Sequence, residues 1–286
     1  EISIDERSPE VMLKEAVEIA RQSEVVIAVV GEAADMTGEA SSMAGIGLQP
    51  AQVRLLEALK ETGKPIVMVL FNGRPMTLTW EHENIDAILD VWFGGIEAGN
   101  AVADVLFGDV SPEGKLTTSF PVHVGQVPVY HSMLNTGRPF EGEEFAKFRS
   151  NYLDIPNEPL YPFGYGLNYT TFEYGTLTLS DTTLQRGGSI TASISVTNTG
   201  QRPGREIVQL YIRDVVGSIS RPVLELKGFE KVALQPGATK TVQFRIDEAL
   251  LKFYNYDLEY VAESGAFIAF VGPNSRDTQG KGFWLE

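Results

Sequence analysis

The pattern of apolar and polar positions changes character once along the chain. Over roughly the first hundred residues, helical and extended patterns alternate. Ser8 and Pro9 stand where an N-cap and a first helical residue belong, and Met12, Leu13, Ala16, Val17 and Ala20 recur at helical spacing, which predicts a helix to about Gln22. VVIAVV at 25–30 is short, β-branched and apolar on both faces, the pattern of a central parallel strand covered by helices on both sides. Pro50 then opens a helix carrying Val53, Leu56 and Leu59 that Gly63 stops, and KPIVMVLFNG supplies a second buried strand. AILDVWF at 87–93 predicts a third strand and EAGNAVADVLFG a further helix. Strands alternating with helices imply a parallel α/β sheet with right-handed crossovers, in which ligands gather at the loops beyond the carboxyl ends of the strands. GEAADMTGEASS, FNGRP and FGGIEAGN lie at three such ends.

From about 121 to 165 the periodicity fades into a segment rich in proline, glycine and aromatic residues, too long for an ordinary loop, which reads as an inter-domain connection packed across a surface. After Tyr174 short alternating strands follow: TLTLS, SITASISVTN, EIVQLYIRD, LELKGFEKVAL, TKTVQFRI and GAFIAFVG. Turn signals such as QRGGS, NTGQRPG and LQPGAT separate them, which predicts a β-sandwich of immunoglobulin or fibronectin type III kind. The expected organisation is an α/β parallel-sheet domain over 1–130, a connection over 131–174 and an all-β fibronectin type III-like domain over 175–286. The strands of that last domain carry no convergent acids, histidines or tryptophan cluster, so its expected role is to stabilise and position, with Leu226, Phe229 and Val232 largely buried.

A length of 286 residues leaves room for two domains. The net charge is −15, and residues 1–150 hold 11 Lys plus Arg against 23 Asp plus Glu, which argues against nucleic acid or an anionic membrane surface as partner. With no cysteine, disulfides, thiolate metal sites and cysteine nucleophiles are excluded while the compartment stays open. The apolar stretches are too short to span a membrane. The chain opens EISIDERSPE, without initiator methionine or basic, apolar leader, and reads as a mature product or the tail of something larger.

Two glutamates, Glu32 and Glu39, share the small-residue loop after VVIAVV. Loop acids are common and Glu32 could simply cap a turn, but the carboxyl end of a parallel strand is where catalytic groups collect, and a carboxylic acid there can serve as a general acid. Asp104 and Asp109 are better read as solvation or capping, and His82, His123 and His131 are scattered without two-ligand spacing, so no metal site is expected. FGGIEAGN lacks the GxGxxG spacing, which argues against a nucleotide cofactor. Asn168-Tyr169-Thr170 is read as structural rather than as a glycosylation site. Trp80, Trp92 and Trp284 could stack on sugar rings, although Trp92 lies in an apolar run and reads as core.

The stretches VVIAVVGEA, EASS, KPIVMVLFNGRP, EAGNAVADVLFGDVSPEGKLTTSFP, QVPVYHSMLNTGRP, LYPFGYGLNYTTF and SRPVLELKGFEKVALQPGATKTV occur in an order that resembles the C-terminal portion of a glycoside hydrolase family 3 β-glucosidase, of the bacterial periplasmic type with a fibronectin type III-like domain. The resemblance implies retaining hydrolysis of terminal β-D-glucosyl residues from β-glucosides or cello-oligosaccharides, without cofactor or metal, in the periplasm or outside the cell. It implies an N-terminal TIM barrel as partner, supplying the nucleophilic aspartate and most glucose contacts; nothing in this chain corresponds to it, so the chain alone is expected to be inactive. A homodimer is left open. GEASSM at 38–43 can be laid on the family's EGxDR-like pattern with Glu39 as the acid/base, although Met43 stands where an arginine is common. Glu32, in a GE pair right after the strand, is the alternative; otherwise it orients the loop or touches the aglycone, with Ser41 and Ser42 as substrate contacts. A rival reading makes the chain a non-catalytic carbohydrate-binding or scaffolding module.

Overall fold

The computed structural model describes residues 6–139, 142 and 145–286, in two units: one of residues 1–107 with 120–127, the other of residues 108–119 with 128–286. The first unit begins with α1 (Pro9–Gln22), whose N-cap Ser8 accepts a hydrogen bond from the Val11 amide, with Pro9 preset for the first turn. Then come β1 (Val26–Gly31), α2 (Pro50–Lys60), β2 (Ile66–Phe71), α3 (Thr79–Asn84), β3 (Ala87–Asp90) and α4 (Ala98–Leu106). The three strands pair in parallel in the order β1-β2-β3, with Gly31 opposite Phe71 and Leu70 opposite Asp90. Ile66, Met68, Val69 and Leu70 of the central strand and Leu56 and Leu59 of α2 are buried.

Three expectations are corrected in this unit. The strand predicted over 87–93 stops at Asp90, because Trp92 takes φ 48°, outside any strand conformation. Trp92 itself is half-buried, edge-on to Phe120 at 5.9 Å, rather than fully core. On β1 only one face is covered within the unit: Ala28 and Val30 are buried, whereas Val29 is 64% exposed. The helix α3 was not read in TWEHEN; its six residues are too few for apolar periodicity to appear.

The second unit contains β4 (Phe172–Tyr174), β5 (Thr178–Leu179), β6 (Thr183–Leu184), β7 (Ser189–Asn198), β8 (Gly204–Asp214), β9 (Glu225–Leu234), β10 (Thr239–Asp247), α5 (Glu248–Leu251), β11 (Phe253–Tyr254), β12 (Tyr260–Val261), β13 (Gly265–Gly272) and β14 (Gln279–Leu285). One sheet runs β10-β7-β4 with β5 also on β7, and the other runs β6-β14-β13-β8-β9. Alternate residues of β7 (Ile190, Ala192, Ile194, Val196), with Val208, Leu210, Ile212, Phe267, Ala269 and Val271, form one apolar core, which is the sandwich expected from the period-two pattern. The glycine-broken QGKGFWL strand, β14, was missed because alternation is weak there. Val232 is fully buried and Leu226 half-buried, but Phe229 is 65% exposed, contrary to expectation. It lies an odd number of residues from Val232 and so points to the opposite face of β9. The Asn168 side chain donates to the Pro112 and Arg205 carbonyls at 2.9 and 3.1 Å and accepts from Ser111 Oγ at 2.8 Å, a structural use of the amide.

Gly31 ends β1 with φ 137°, and a Cβ there would stand 1.8 Å from the Phe71 carbonyl oxygen, inside the β1–β2 ladder. Gly31→Ala therefore combines backbone strain with overlap and should cost about 3 to 5 kcal/mol in urea unfolding. Gly38→Ala, at φ 110° with nothing within 4 Å, should cost only strain, about 1 to 3 kcal/mol. Equal midpoints for the two variants would contradict this account.

Candidate functional site

The loops that follow β1, β2 and β3 come together at the carboxyl edge of the parallel sheet. In-register pairing of β1 with β2 sets residue 32 beside residues 72–74. The Glu32 amide donates to the Phe71 carbonyl at 2.7 Å, and the Gly73 amide donates to Glu32 Oε2 at 3.0 Å. Arg74 Nε lies 2.8 Å from Glu32 Oε1 as an ion pair, with side-chain exposures of 19% and 4%. A carboxylate this buried needs such partners, since an isolated charge out of water is prohibitively costly.

The other end of the Arg74 guanidinium holds the loop. Its Nη2 donates to the Met36 carbonyl at 2.5 Å and to the Ser41 carbonyl at 3.0 Å. Met43 stands where an arginine is common in the family, and Arg74, within the FNGRP stretch, holds the loop from the next strand. Asn72, fully buried, steadies that turn by donating to the Arg74 carbonyl at 2.9 Å.

Between the two carbonyls that Arg74 grips, residues 37–40 form the loop's tip. Gly38 has φ 110° and Ala40 φ 60°, so the backbone reverses on both sides of Glu39. Glu39 is exposed, as is Ser42, while Ser41 is half-buried and donates from Oγ to the Asp35 carbonyl at 3.3 Å. The structure thus gathers Glu32 and Ser41 around Arg74 and holds Glu39 and Ser42 outward on the same loop.

A further acid, Asp90, ends β3, and sequence reasoning did not select it. Burial pushes its carboxyl up to about 6, against the Trp92 backbone N–H and the Asn72 side chain, which favour the ion. Neither carboxylate oxygen makes a well-formed hydrogen bond, and Asn72 Oδ1 is likewise buried without one. Its only sequence signal was an acid at the end of an apolar strand.

Residues 3–169 match the glycosyl hydrolase family 3 C-terminal domain, and residues 206–275 a fibronectin type III-like domain. The chain belongs to glycosyl hydrolase family 3. It is 56% identical over 274 residues to the periplasmic beta-glucosidase of Salmonella typhimurium, covering 96% of this chain and 36% of that protein. It is 45% identical over 263 residues to a beta-xylosidase of Formosa agariphila, covering 92% of this chain and 35% of that protein. Among solved structures, the beta-glucosidase of Listeria innocua in complex with gluconolactone superposes with a TM-score of 0.92 at 43% identity, covering 99% of this chain and 39% of that one. The chain therefore spans little more than a third of the length of these family members, as their C-terminal portion.

Because Asp90 holds its proton to a higher pH in the folded state than the 3.8 of a free carboxyl, the folded chain binds more protons between about pH 4 and 6. Its stability contribution is full below that window and is lost as pH rises through it. Asp90→Asn carries no charge to bury, so the variant should gain on the unsubstituted chain across the window, reaching roughly 1 to 3 kcal/mol near neutral pH. Denaturant titrations at the two ends of the window measure this; a constant difference would contradict it.

Proposed function

We propose that this chain is the acid/base half of a retaining β-glucosidase that releases terminal β-D-glucosyl residues from β-glucosides or cello-oligosaccharides in the periplasm. An N-terminal barrel of the same enzyme would supply the nucleophile and most of the glucose contacts. Similarity to beta-glucosidases, one of them a periplasmic protein, supports the reaction class, and the likeness to a beta-xylosidase keeps that substrate as the neighbouring alternative. The α/β domain over 1–130 would carry the chemistry, the 131–174 segment would connect, and the fibronectin type III-like domain over 175–286 would brace.

The observation that carries the assignment of roles is the different use of the two loop glutamates. Glu32 has both carboxylate oxygens engaged, by Gly73 and Arg74, and a group so occupied positions the loop. Glu39 is exposed on the tip that Arg74 holds at both ends, free to reach a bond presented from another surface. Retaining glycosidases need two carboxyl groups roughly 5 to 5.5 Å apart, one to attack and one to protonate the departing oxygen, and Glu39 is the proposed second of these. Ser41 and Ser42 lie close enough in sequence to contact the same substrate, and Ser42 is exposed for it.

The 286-residue chain alone should fold yet turn over an aryl β-glucoside no faster than buffer does. Activity that a substitution within this chain abolishes would reveal a nucleophile here and overturn the proposal.

In the enzyme joined to its barrel, Glu39→Gln should slow glycosylation from an alkyl glucoside by about 10² to 10⁴, because a poor leaving group needs the proton. A dinitrophenyl glucoside should react at nearly the usual first-step rate, the glycosyl-enzyme should accumulate, and azide should restore turnover because it attacks without a base. Glu32→Gln should lower both substrates evenly. Leaving-group dependence and azide rescue at Glu32 instead of Glu39 would reverse the assignment.

A further inference from the structure

Gly73 follows Asn72 in the turn after β2, and its amide is one of the two donors that hold Glu32. Its α-carbon has a separate neighbour. A Cβ built on Gly73 would stand 2.9 Å from both Cβ and Cγ2 of Thr37, and closer still to Oγ1. The half-buried Thr37 side chain therefore occupies the space that a side chain at residue 73 would take. Thr37 is the first residue of the loop tip, directly after Met36, whose carbonyl Arg74 grips.

The glycine is needed here for space and not for conformation. Gly73 has no left-handed φ, so its backbone would accept an alanine. The obstruction would come from Thr37, which is branched at Cβ. Turning that side chain about χ1 moves Oγ1 and Cγ2 but leaves its Cβ in place. A carbon–carbon separation of 2.9 Å is well inside the about 3.5 to 4.0 Å of an ordinary contact, so relief must come from the backbone. Arg74 ties down the Met36 and Ser41 carbonyls, and Glu32 ties down the Gly73 amide. Residues 37–40 are the part left to yield, and Glu39 lies among them.

We infer that Gly73 is a positioning residue that acts through Thr37: its bare α-carbon is the seat on which Thr37 packs, and that seat fixes how far Glu39 projects. The inference rests on the proposed role of Glu39 as general acid/base. The seat adds a restraint of a different kind from Arg74. Arg74 fixes the two ends of the tip through hydrogen bonds from a charged group. The seat acts inside the tip, immediately before the reversal at Gly38, and holds by close packing alone, which leaves no room for one more methyl group.

The test uses the enzyme joined to its barrel and compares Gly73→Ala, Thr37→Gly, the double variant and Glu39→Gln as reference. In Gly73→Ala, glycosylation from an alkyl glucoside should slow by about 10², the scale of a catalytic group misplaced by about an ångström. A dinitrophenyl glucoside, whose leaving group needs no proton, should keep its first-step rate and its KM. Once Thr37 is glycine the obstruction is gone, so adding Gly73→Ala to Thr37→Gly should make no further difference to the alkyl substrate. A purely structural role for Gly73 would lower both substrates together and would not depend on residue 37. If Gly73→Ala does not fold, Thr37→Gly decides alone: it empties the seat, and should slow the alkyl glucoside while sparing the dinitrophenyl one. With Glu39→Gln showing its leaving-group dependence, three results would each overturn the inference: an unchanged alkyl rate, equal loss on both substrates, or the same loss from Gly73→Ala with and without the Thr37 side chain. If Glu39→Gln itself lacks that dependence, the acid/base reading fails and this inference falls with it.

Discussion

A carboxylate removed from water has to be paired, and at the carboxyl edge of the parallel sheet that requirement organises everything around Glu32. Its side chain is 4% exposed, and the Gly73 amide and the Arg74 guanidinium neutralise it. Removing one partner of a buried pair typically costs about 3 to 5 kcal/mol, because the survivor is left charged and unsolvated. The ends of β1 and β2 are thereby locked together at a point that the ladder alone would leave frayed. Since the same guanidinium also binds the Met36 and Ser41 carbonyls, the electrostatic need of one buried acid fixes the course of the loop between Glu32 and Ser41.

That coupling explains why one loop carries two acids. Under our proposal they are not redundant: the first is spent on structure so that the second can be held at a defined place without being bound. Arg74 is suited to this, since its planar fork serves a carboxylate on one side and carbonyls on another, which a lysine ammonium would not do with the same geometry. The reversal of the backbone at Gly38 and Ala40 then turns Glu39 outward.

Much of this was legible from the chain, and the rest fails for identifiable reasons. VVIAVV and KPIVMVLFNG declared themselves as parallel strands, although only the second is buried on both faces, the helix from Pro50 was visible in Val53, Leu56 and Leu59, and the sandwich followed from alternation in SITASISVTN and EIVQLYIRD. Arg74 was not legible as the loop's anchor, because it lies 42 positions from Glu32 and only the in-register pairing of Gly31 with Phe71 brings the two together. Asp90 was hidden inside what looked like a longer strand, whose true end depends on the φ of Trp92. Phe229 was misplaced because counting apolar residues in LELKGFEKVAL ignores parity: three residues from Val232 along the regular part of the β8–β9 ladder, opposite Gln209, it falls on the other face.

The exposure of Glu39 has a mechanistic consequence. A general acid that works near neutral pH must be partly desolvated, since burial is what makes a carboxyl keep its proton. Glu39 is exposed, and the acids of this unit whose carboxyls burial pushes up are Asp90, at a different strand end, and Glu81, in α3. If Glu39 is the acid/base, the surface that desolvates it must be the one that presents the glycosidic bond, so docking of substrate and tuning of the acid become a single event. Such an arrangement keeps the loop inert until both surfaces meet. It also accounts for a loop pinned firmly at Met36 and Ser41 yet built of small residues between them: the anchor limits where the acid can be, and the small tip leaves the opposing surface room to close over it.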